Sequence, residues 1–540
     1  MEKCIPHSTE HCLSARLLWC WVYQHPLAAA GTPEEASARR WLKVQGGAVK
    51  CVTCLVVGVD AEEYVPGRDL DAVRLSTLLA SLPALTSIGS PCGHVHLRAD
   101  PHRTPTAAAV RAYLAGAARA IARCSGLRAL HADIALRGRL ADQLPNALVR
   151  ELASVRTLED ISLTFESFEA YEANRPSPLW PVISSLAHLV AGLAGLPRLR
   201  TLTLRMSHVG MDATLPASVS RLAQLTSLSL SGFFGVRCEP GWARLPALTR
   251  LQFVDCEFAG DGEAALPGMD TLAALTSLEL KRCPSLRRLP TSLWRLSQLR
   301  CLSHDAYVWD EAGVPSSALP VLGLPLSAPC FASLTELTLT GHNLRMPPGG
   351  APCFASLTHL TLAAHNLRVF PPCILAATRL QYLELTDCCF EQLPEGVSAL
   401  TGLEELYLGS SSLVEMEVGG RIDARTLGSL AGFPYLRRLS FENCSVLFCS
   451  DFQAAAAHPR LDWLELTTAY PESGPSCMAF LGFVCALLKQ GRACVLSLVG
   501  SHVRGAGWSS SSKFRAALEA VGYHDFSSDE DSYEEEASHP

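Results

Sequence analysis

A 23-residue echo in the middle of the chain limits the possible folds more than any other feature. APCFASLTELTLTGHNLRMPPGG begins at Ala328, and APCFASLTHLTLAAHNLRVFPPC begins at Ala351. One frame of apolar residues runs through the echo and the two segments after it: Leu334, Leu337, Leu339, Leu344; Leu357, Leu360, Leu362, Leu367; Leu380, Leu383, Leu385, Phe390; Leu403, Leu406, Leu408, Leu413. A period of this length predicts a solenoid, because each unit buries its apolar face only against its neighbours.

The same frame extends well beyond the echo in both directions. Upstream it comprises Leu158, Ile161, Leu163, Phe168; Leu199, Leu202, Leu204, Val209; Leu225, Leu228, Leu230; Leu248, Leu251, Phe253, Phe258; Leu275, Leu278, Leu280; Leu299, Leu302. Downstream it comprises Leu436, Leu439, Phe441, Val446; Leu461, Leu464, Leu466; Ala493, Leu496, Leu498, Val503. The starts are spaced unevenly, so we expect the longer repeats to contain loops or additional helical turns.

The unit LxxLxLxxNxLxxLPxxLxxL resembles the leucine-rich repeat of cytosolic plant and algal proteins. That class includes the plant intracellular Ras-group-related proteins and the repeat domains of disease-resistance proteins. The resemblance covers roughly residues 120–505. It implies an α/β fold, a leucine-rich repeat solenoid or horseshoe, with a concave parallel β-sheet and an irregular or helical convex side. The chain contains no P-loop, so we do not expect a complete resistance protein. It also lacks a GVYW motif after the repeats, and in this it departs from the Ras-group-related class.

Alternation within each LxLxx segment predicts a strand whose leucines point into the coil and whose intervening residues point outward. Several repeats continue as LPxxL, beginning at Leu215, Leu289 and Leu393. Proline suits the first turn of a helix, where its missing N–H is not needed. We therefore expect short helices on the return side of these repeats.

Five segments follow from these patterns. We expect an N-terminal helical cap or degenerate F-box-like segment at 1–46, degenerate capping repeats at 47–157, regular leucine-rich repeats at 158–505, a C-terminal cap at 506–524 and a disordered acidic tail at 525–540. The capping repeats are predicted from a helix-like segment, AAAVRAYLAGAARAIARCSG, and from a strand-like run near residue 50. Atypical terminal repeats are expected, because the end of a solenoid must cover its own core.

The tail carries the whole net charge of the chain. Its acidic residues are Asp525, Asp529, Glu530, Asp531, Glu534, Glu535 and Glu536, and it contains no Lys or Arg. The chain as a whole has 45 basic and 52 acidic residues, a net charge of −7. Such a block is typical of a solvated, disordered segment. Ser528 and Ser532 each precede an acid by three residues, which makes them phosphorylation candidates for an acidic-directed kinase.

The 21 cysteines predict reduced thiols rather than a disulfide framework in a long chain of this kind. Four of them occupy the slot that asparagine usually fills in the repeat: Cys256, Cys283, Cys388 and Cys444. Cys51 and Cys54 form a lone CxxC, for which core packing is favoured over zinc. His342 and His365 also occupy the asparagine slot. A metal site there is an alternative to the favoured interpretation, residues duplicated with the repeat.

Neither catalytic nor targeting motifs are found in the sequence. There is no nucleophile elbow, HExxH, Walker or Rossmann motif, so we expect no enzyme activity, no cofactor and no metal. No apolar run reaches 18 residues, and the N-terminal LLWCWVY run is broken by Gln24 and His25. We therefore expect a cytoplasmic protein without a membrane partner. A neutral body argues against nucleic acid as the main partner.

The sequence thus favours a non-enzymatic scaffold that binds a protein or peptide, for instance in signal transduction. Two alternatives remain: an F-box-type substrate receptor of a ubiquitin ligase, and a structural component of the ciliary axoneme, which would place the chain in the cytoskeleton. The predicted partner-binding residues lie at outward strand positions: His359, Tyr382, Glu384, Glu405, Tyr407, Arg438, Glu442, Trp463 and Glu465. Their excess of glutamates predicts a partner with a basic segment. Alternatively, these side chains pack on each other or lie under a loop.

Overall fold

The structure is a computed structural model in which the chain forms two compact units, Met1–Pro347 and Pro348–Pro540. It describes residues 54–55, 79, 84–89, 95–97, 107–136, 149–167, 186–207, 212–305, 321–325, 328–340, 343–345, 354–363, 371–386, 397, 399–409, 421–423, 433–442, 445–447, 460–467, 470–471 and 495–499. The two units are called the N-terminal and the C-terminal unit below.

The N-terminal unit is built on a parallel sheet with one main strand per repeat. Its strands are β1 (Cys54–Leu55), β2 (Ser87–Ile88), β3 (Val95–Leu97), β4 (Ala129–Leu136), β5 (Asp160–Ser167), β6 (Thr201–Ser207), β7 (Asp212–Leu215), β8 (Ser227–Ser231), β9 (Phe234–Cys238), β10 (Arg250–Val254), β11 (Ser277–Lys281), β12 (Cys301–Asp305), β13 (Val321–Gly323), β14 (Glu336–Thr340) and β15 (Asn343–Arg345). The main sheet has the order β1-β2-β4-β5-β6-β8-β10-β11-β12-β14, and β3 also pairs with β4. The pairs β7–β9 and β13–β15 form separate short ladders.

The C-terminal unit repeats this arrangement. Its strands are β16 (His359–Ala363), β17 (Tyr382–Thr386), β18 (Glu405–Gly409), β19 (Arg421–Asp423), β20 (Arg438–Glu442), β21 (Ser445–Leu447), β22 (Trp463–Thr467), β23 (Tyr470–Pro471) and β24 (Val495–Val499). The main sheet has the order β16-β17-β18-β20-β22-β24, and β19, β21 and β23 form a second ladder. All these pairings are parallel.

The register aligns the leucines of the predicted frame. Leu251 pairs with Leu228 on one side and with Leu278 on the other, and all three side chains are fully buried. The same holds in the C-terminal unit for Leu383 and Leu406. Burying one such side chain stabilises the fold by roughly 1.5–3 kcal/mol. The period and the in-register parallel sheet together confirm the predicted α/β leucine-rich repeat solenoid.

Several of the described return segments contain helices. The N-terminal unit has α1 (Ala107–Ala122) and α2 (Leu186–Leu193), and later repeats use 3₁₀ helices such as Ala217–Arg221 and Thr291–Arg295. Each of these two 3₁₀ helices directly follows the proline of its LPxxL segment. The proline therefore lies at the position just before the helix, one residue earlier than the sequence analysis expects.

Thiols replace asparagine between neighbouring repeats. The Cys256 thiol, fully buried, donates to the carbonyl of Leu230 at 3.5 Å, and Cys283 donates to that of Phe253 at 3.7 Å. Burial raises the pKa of Cys256 to about 11 and also raises the pKa of Cys283, so both thiols stay protonated as donors. Every cysteine whose side chain the structure describes is a free thiol.

Threonine hydroxyls link the repeats where the strands begin. Thr226 donates to the carbonyl of Arg200, Thr249 to that of Thr226, and Thr276 to that of Thr249, each at 3.0 Å. Each hydroxyl therefore joins one repeat to the repeat before it.

One strand was not singled out by the sequence analysis. Leu85 and Ile88, each 1 % exposed, place β2 in the main sheet next to β4.

One position of the buried frame is polar. The fully buried His304 lies between Leu280 and Leu339 in the register of the main sheet. Among the described residues, no helix is both long enough and apolar enough to cross a membrane.

Several predictions fall outside the described residues. These concern the segment 1–46, the C-terminal cap and acidic tail with Ser528 and Ser532, and the asparagine-slot residues Cys388, Cys444, His342 and His365. Cys51 is also outside them, and Cys54 begins β1.

Candidate functional site

The outward residues of the C-terminal unit form columns that cross its strands. The first column runs His359, Tyr382, Glu405, Arg438, Trp463, and the second runs Thr361, Glu384, Tyr407, Ser440, Glu465. Adjacent members are separated by one strand spacing of about 4.8 Å. The register therefore brings the predicted residues together on one face. We call the two columns the aromatic–acidic patch. Glu442 follows in a third column, opposite Gly409 and Thr467.

Aromatic rings cross three strands of the patch. His359 stacks on Tyr382 with ring centroids 5.8 Å apart and an interplanar angle of 24°. Tyr382 in turn contacts Tyr407 at 5.2 Å with an angle of 35°. The His359 side chain is exposed, and the two tyrosines are partly exposed. Because rings have few rotatable bonds, such a row presents contact area that loses little conformational entropy on binding.

Each tyrosine hydroxyl donates to a carboxylate on its own strand. Tyr382 donates to Glu384 at 2.7 Å, and Tyr407 donates to Glu405 at 2.8 Å. Glu384 also accepts a hydrogen bond from Thr361 at 3.2 Å. These bonds orient the carboxylates and satisfy part of their acceptor capacity. Burial raises the pKa of both tyrosines, and the adjacent carboxylates raise it further, so the hydroxyls remain protonated at neutral pH.

Arg438 connects the two halves of the patch. Its guanidinium lies over the Trp463 ring, 5.6 Å from the centroid, and its Nη1 atom is 3.9 Å from Oε1 of Glu405. A hydrogen bond with the Tyr407 hydroxyl and the charge of Glu405 raise the pKa of Arg438. The only arginine of the predicted set is thus already engaged by three other patch residues.

The structure adds residues at the patch edge that the sequence analysis did not single out. Arg460 lies over the Tyr435 ring, 4.6 Å from its centroid, and Tyr435 is one of two large apolar side chains in the described part that are markedly exposed, at 46 %. Arg437 donates to Asp462 at 2.9 Å from Nη2 and at 3.1 Å from Nε. All four residues precede strands β20 and β22. The signal that could have found them is their place one to three residues before each strand.

The outward face of the N-terminal unit has a different chemistry. The outward positions of its main-sheet strands β6, β8, β10, β11, β12 and β14 contain no Phe, Tyr or Trp. Ser229 donates to Gln252 at 2.9 Å, and Gln252 donates to Glu279 at 3.1 Å. Glu279 also pairs with Lys281 at 2.9 Å. This face is a polar row whose side chains satisfy one another's hydrogen-bonding groups. In the described residues of the chain, no cluster of His, Cys, Asp and Glu suits a metal ion.

No family model matches the sequence, and no curated protein matches it. Several solved structures share the repeat architecture. A leucine-rich repeat protein of Leptospira interrogans is 16 % identical with a TM-score of 0.48, over 84 % of this chain and 98 % of that one. An internalin of Listeria monocytogenes is 13 % identical with a TM-score of 0.35, over 79 % and 92 %. The plant peptide hormone receptor RGFR1 in complex with RGF2 is 13 % identical with a TM-score of 0.35, over 72 % and 68 %.

Proposed function

We propose that the chain is a non-enzymatic interaction scaffold that binds a protein or peptide partner on the aromatic–acidic patch. The observation that carries this proposal is the aromatic row His359–Tyr382–Tyr407, continued by the Arg438–Trp463 pair. Partly exposed Tyr and Trp side chains on a rigid sheet are typical anchors of protein interfaces. The self-satisfied polar face of the N-terminal unit offers no comparable anchors.

The partner is proposed to present a basic segment, with arginine as its principal contact residue. Glu384 and Glu405 are already oriented by tyrosine hydroxyls, and a carboxylate can accept several further hydrogen bonds. A partner arginine can pair with these carboxylates and stack on the neighbouring rings, as Arg438 does on Trp463. A lysine could supply the charge but not the planar stacking.

The test is binding of the full chain to an array of short peptides that are arginine-rich, lysine-rich, acidic or neutral. We expect the arginine-rich peptides to bind best. Trp463→Ala and Tyr407→Ala should each weaken that binding by about 1–2 kcal/mol or more. Tyr407→Phe keeps the ring but loses the bond to Glu405, and it should have a smaller effect.

Ser227→Ala is the matched control, since Ser227 occupies the same outward position on β8 as Tyr382 on β17. Its binding should equal that of the wild type. Undiminished binding after loss of both Tyr407 and Trp463 rings, in a chain with unchanged circular dichroism, would show that the patch is not the site.

A further inference from the structure

A second surface of the chain is rich in arginine. It lies where the return segments run back to the sheet, in three consecutive repeats of the N-terminal unit, at 119–128, 150–159 and 191–200. We call its arginines the arginine flank: Arg119, Arg123, Arg128, Arg150, Arg156, Arg198 and Arg200. The same segments contain only two acids, Glu151 and Glu159. The equivalent segments of the next three repeats, 217–226, 240–249 and 267–276, hold two arginines and one aspartate.

Hydrogen bonds between the repeats show that the three segments stack in register. The carbonyl of Arg128 accepts from the backbone N–H of Glu159 at 2.7 Å, and the carbonyl of Glu159 accepts from that of Arg200 at 2.7 Å. Thr157 donates from its hydroxyl to the carbonyl of Leu127 at 2.6 Å. Arg128 and Arg200 are therefore two strand spacings apart, about 10 Å.

The arginine side chains of the flank are all exposed. In the part of the chain that the structure describes, only Arg150 has an ion pair, with Glu151 at 3.8 Å. This contrasts with Arg282, Arg295, Arg437 and Arg438, which all pair with carboxylates. A concentration of cations of this kind attracts and orients an anionic partner.

We infer that the arginine flank binds a carboxylate-rich segment of a partner polypeptide. The planar guanidinium matches a carboxylate in bidentate geometry. The three segments contain no Phe, Tyr or Trp, whereas sites for single-stranded nucleic acid combine positive charge with aromatic residues on which bases stack. They also contain no large exposed apolar side chain of the kind that enters a membrane. The arginine flank shares no residue with the aromatic–acidic patch. Its proposed partner is acidic, whereas the proposed partner of the patch is basic.

The experiment uses a fluorescent peptide with the sequence of residues 525–540, which holds seven acids and no Lys or Arg. The receptor is the full chain with those seven acids replaced by their amides, so that its own tail cannot compete. We expect saturable binding that weakens by about tenfold or more when salt is raised from about 50 to about 300 mM. A peptide with the acids replaced by amides should not bind.

The triple variant Arg123→Gln, Arg156→Gln, Arg198→Gln should bind the acidic peptide about tenfold more weakly. The matched control replaces Arg221, Arg244 and Arg300, three exposed arginines of later repeats, by glutamine and should bind as the parent does. Equal weakening by the two triple variants would overturn the proposal, because the effect would then follow net charge alone. Tighter binding of a single-stranded RNA of equal charge, lost in the flank variant, would also overturn it in favour of a nucleic-acid site.

Discussion

Arg282 donates through its Nη2 atom to Oδ2 of Asp255 at 2.7 Å and through Nε to Oδ1, and both residues have a positive φ, 50° and 51°. Each directly follows a main strand, β11 or β10, and Gly232 takes the same place after β8 with φ 76°. A Cβ on Gly232 would lie 2.1 Å from the carbonyl oxygen of Met206, so only glycine fits there. In the next two repeats, Asp255 and Arg282 occupy the equivalent position and form an ion pair with each other.

Arg282 is expected to be replaceable by glycine but not by valine. Glycine removes the exposed ion pair, worth about 0–1 kcal/mol, and relieves a left-handed backbone, an effect of similar size. Arg282→Gly should therefore change the free energy of unfolding by less than about 1 kcal/mol. Arg282→Val should lower it by about 1–3 kcal/mol, since a β-branched residue is poorly tolerated at positive φ. Urea unfolding measures both, and equal stability of the two variants would refute the turn assignment.

Leu337 and Thr338 test the inward and outward faces of one strand. Leu337 is 1 % exposed and pairs in register with Leu302, whereas Thr338 is partly exposed. Leu337→Ala should cost about 2–5 kcal/mol, because it leaves a cavity between repeats. Thr338→Ala should change stability by less than about 0.5 kcal/mol. Thermal unfolding gives the comparison, and equal shifts in Tm would contradict the frame.

Glu263 should make the N-terminal unit sensitive to acid. Burial raises the pKa of Glu263, but hydrogen bonds from the backbone and hydroxyl of Ser292, from Gly268 and from Thr291 lower it by more, to below its ordinary value of 4.5. Because the folded pKa is depressed, this stabilisation is fully present above pH 4.5 and is lost as the pH falls through the folded pKa.

The Glu263→Gln variant removes the charge while keeping the shape of the side chain. It should be less stable than the wild type at neutral pH, and the difference should shrink as the pH falls below about 4.5. Urea unfolding across pH measures this difference. Thr291→Ala removes only the longest of these hydrogen bonds, at 3.3 Å. It should therefore lower the stability at neutral pH by less than Glu263→Gln does. A stability difference that does not change with pH would rule out the carboxylate as its source.

The patch tyrosines should ionise late in an alkaline titration. Burial raises the pKa of Tyr407 above its ordinary value of 10.0, and the hydrogen bond to Glu405 adds to this, with partial relief from Arg438. Tyr382 is raised by burial and by its bond to Glu384. Raised folded pKa values stabilise the fold below pH 10.0, and this is lost as the pH rises through them. Tyr382→Phe and Tyr407→Phe should each delete a late step in the ultraviolet absorbance of tyrosinate. If either variant instead lost a titration step near the ordinary tyrosine pKa of 10.0, the hydrogen bonds of these tyrosines to Glu384 and Glu405 would be contradicted.

Periodicity was enough to predict the sheet and its buried face, because strand alternation alone decides which side chains point inward. Leu228, Leu251 and Leu278 follow directly from it. The cysteine slots could also be predicted, since Cys256 and Cys283 stand where the repeat requires a donor. The repeat around Leu85 could not, because two apolar positions within short strands give too weak a period.

The candidate site was predictable in position but not in its bonding. Register places Tyr382 beside Tyr407's strand, but the donation of each hydroxyl to a glutamate depends on rotamers that no spacing encodes. Arg438 likewise joins Trp463 and Glu405 through its long side chain. The arginine flank was missed because its members are scattered along the sequence until repeats of unequal length are aligned.

The threonine ladder at Thr226, Thr249 and Thr276 has an evolutionary consequence. Every hydroxyl reaches only the adjacent repeat, so no bond in the ladder depends on how many repeats precede or follow it. An in-frame duplication of one unit therefore creates a single new junction made of the same groups as the old ones. The similar segments that begin at Ala328 and Ala351 have the character of such an event. Duplication of the gene segment that encodes one repeat can therefore lengthen the chain while the fold is kept.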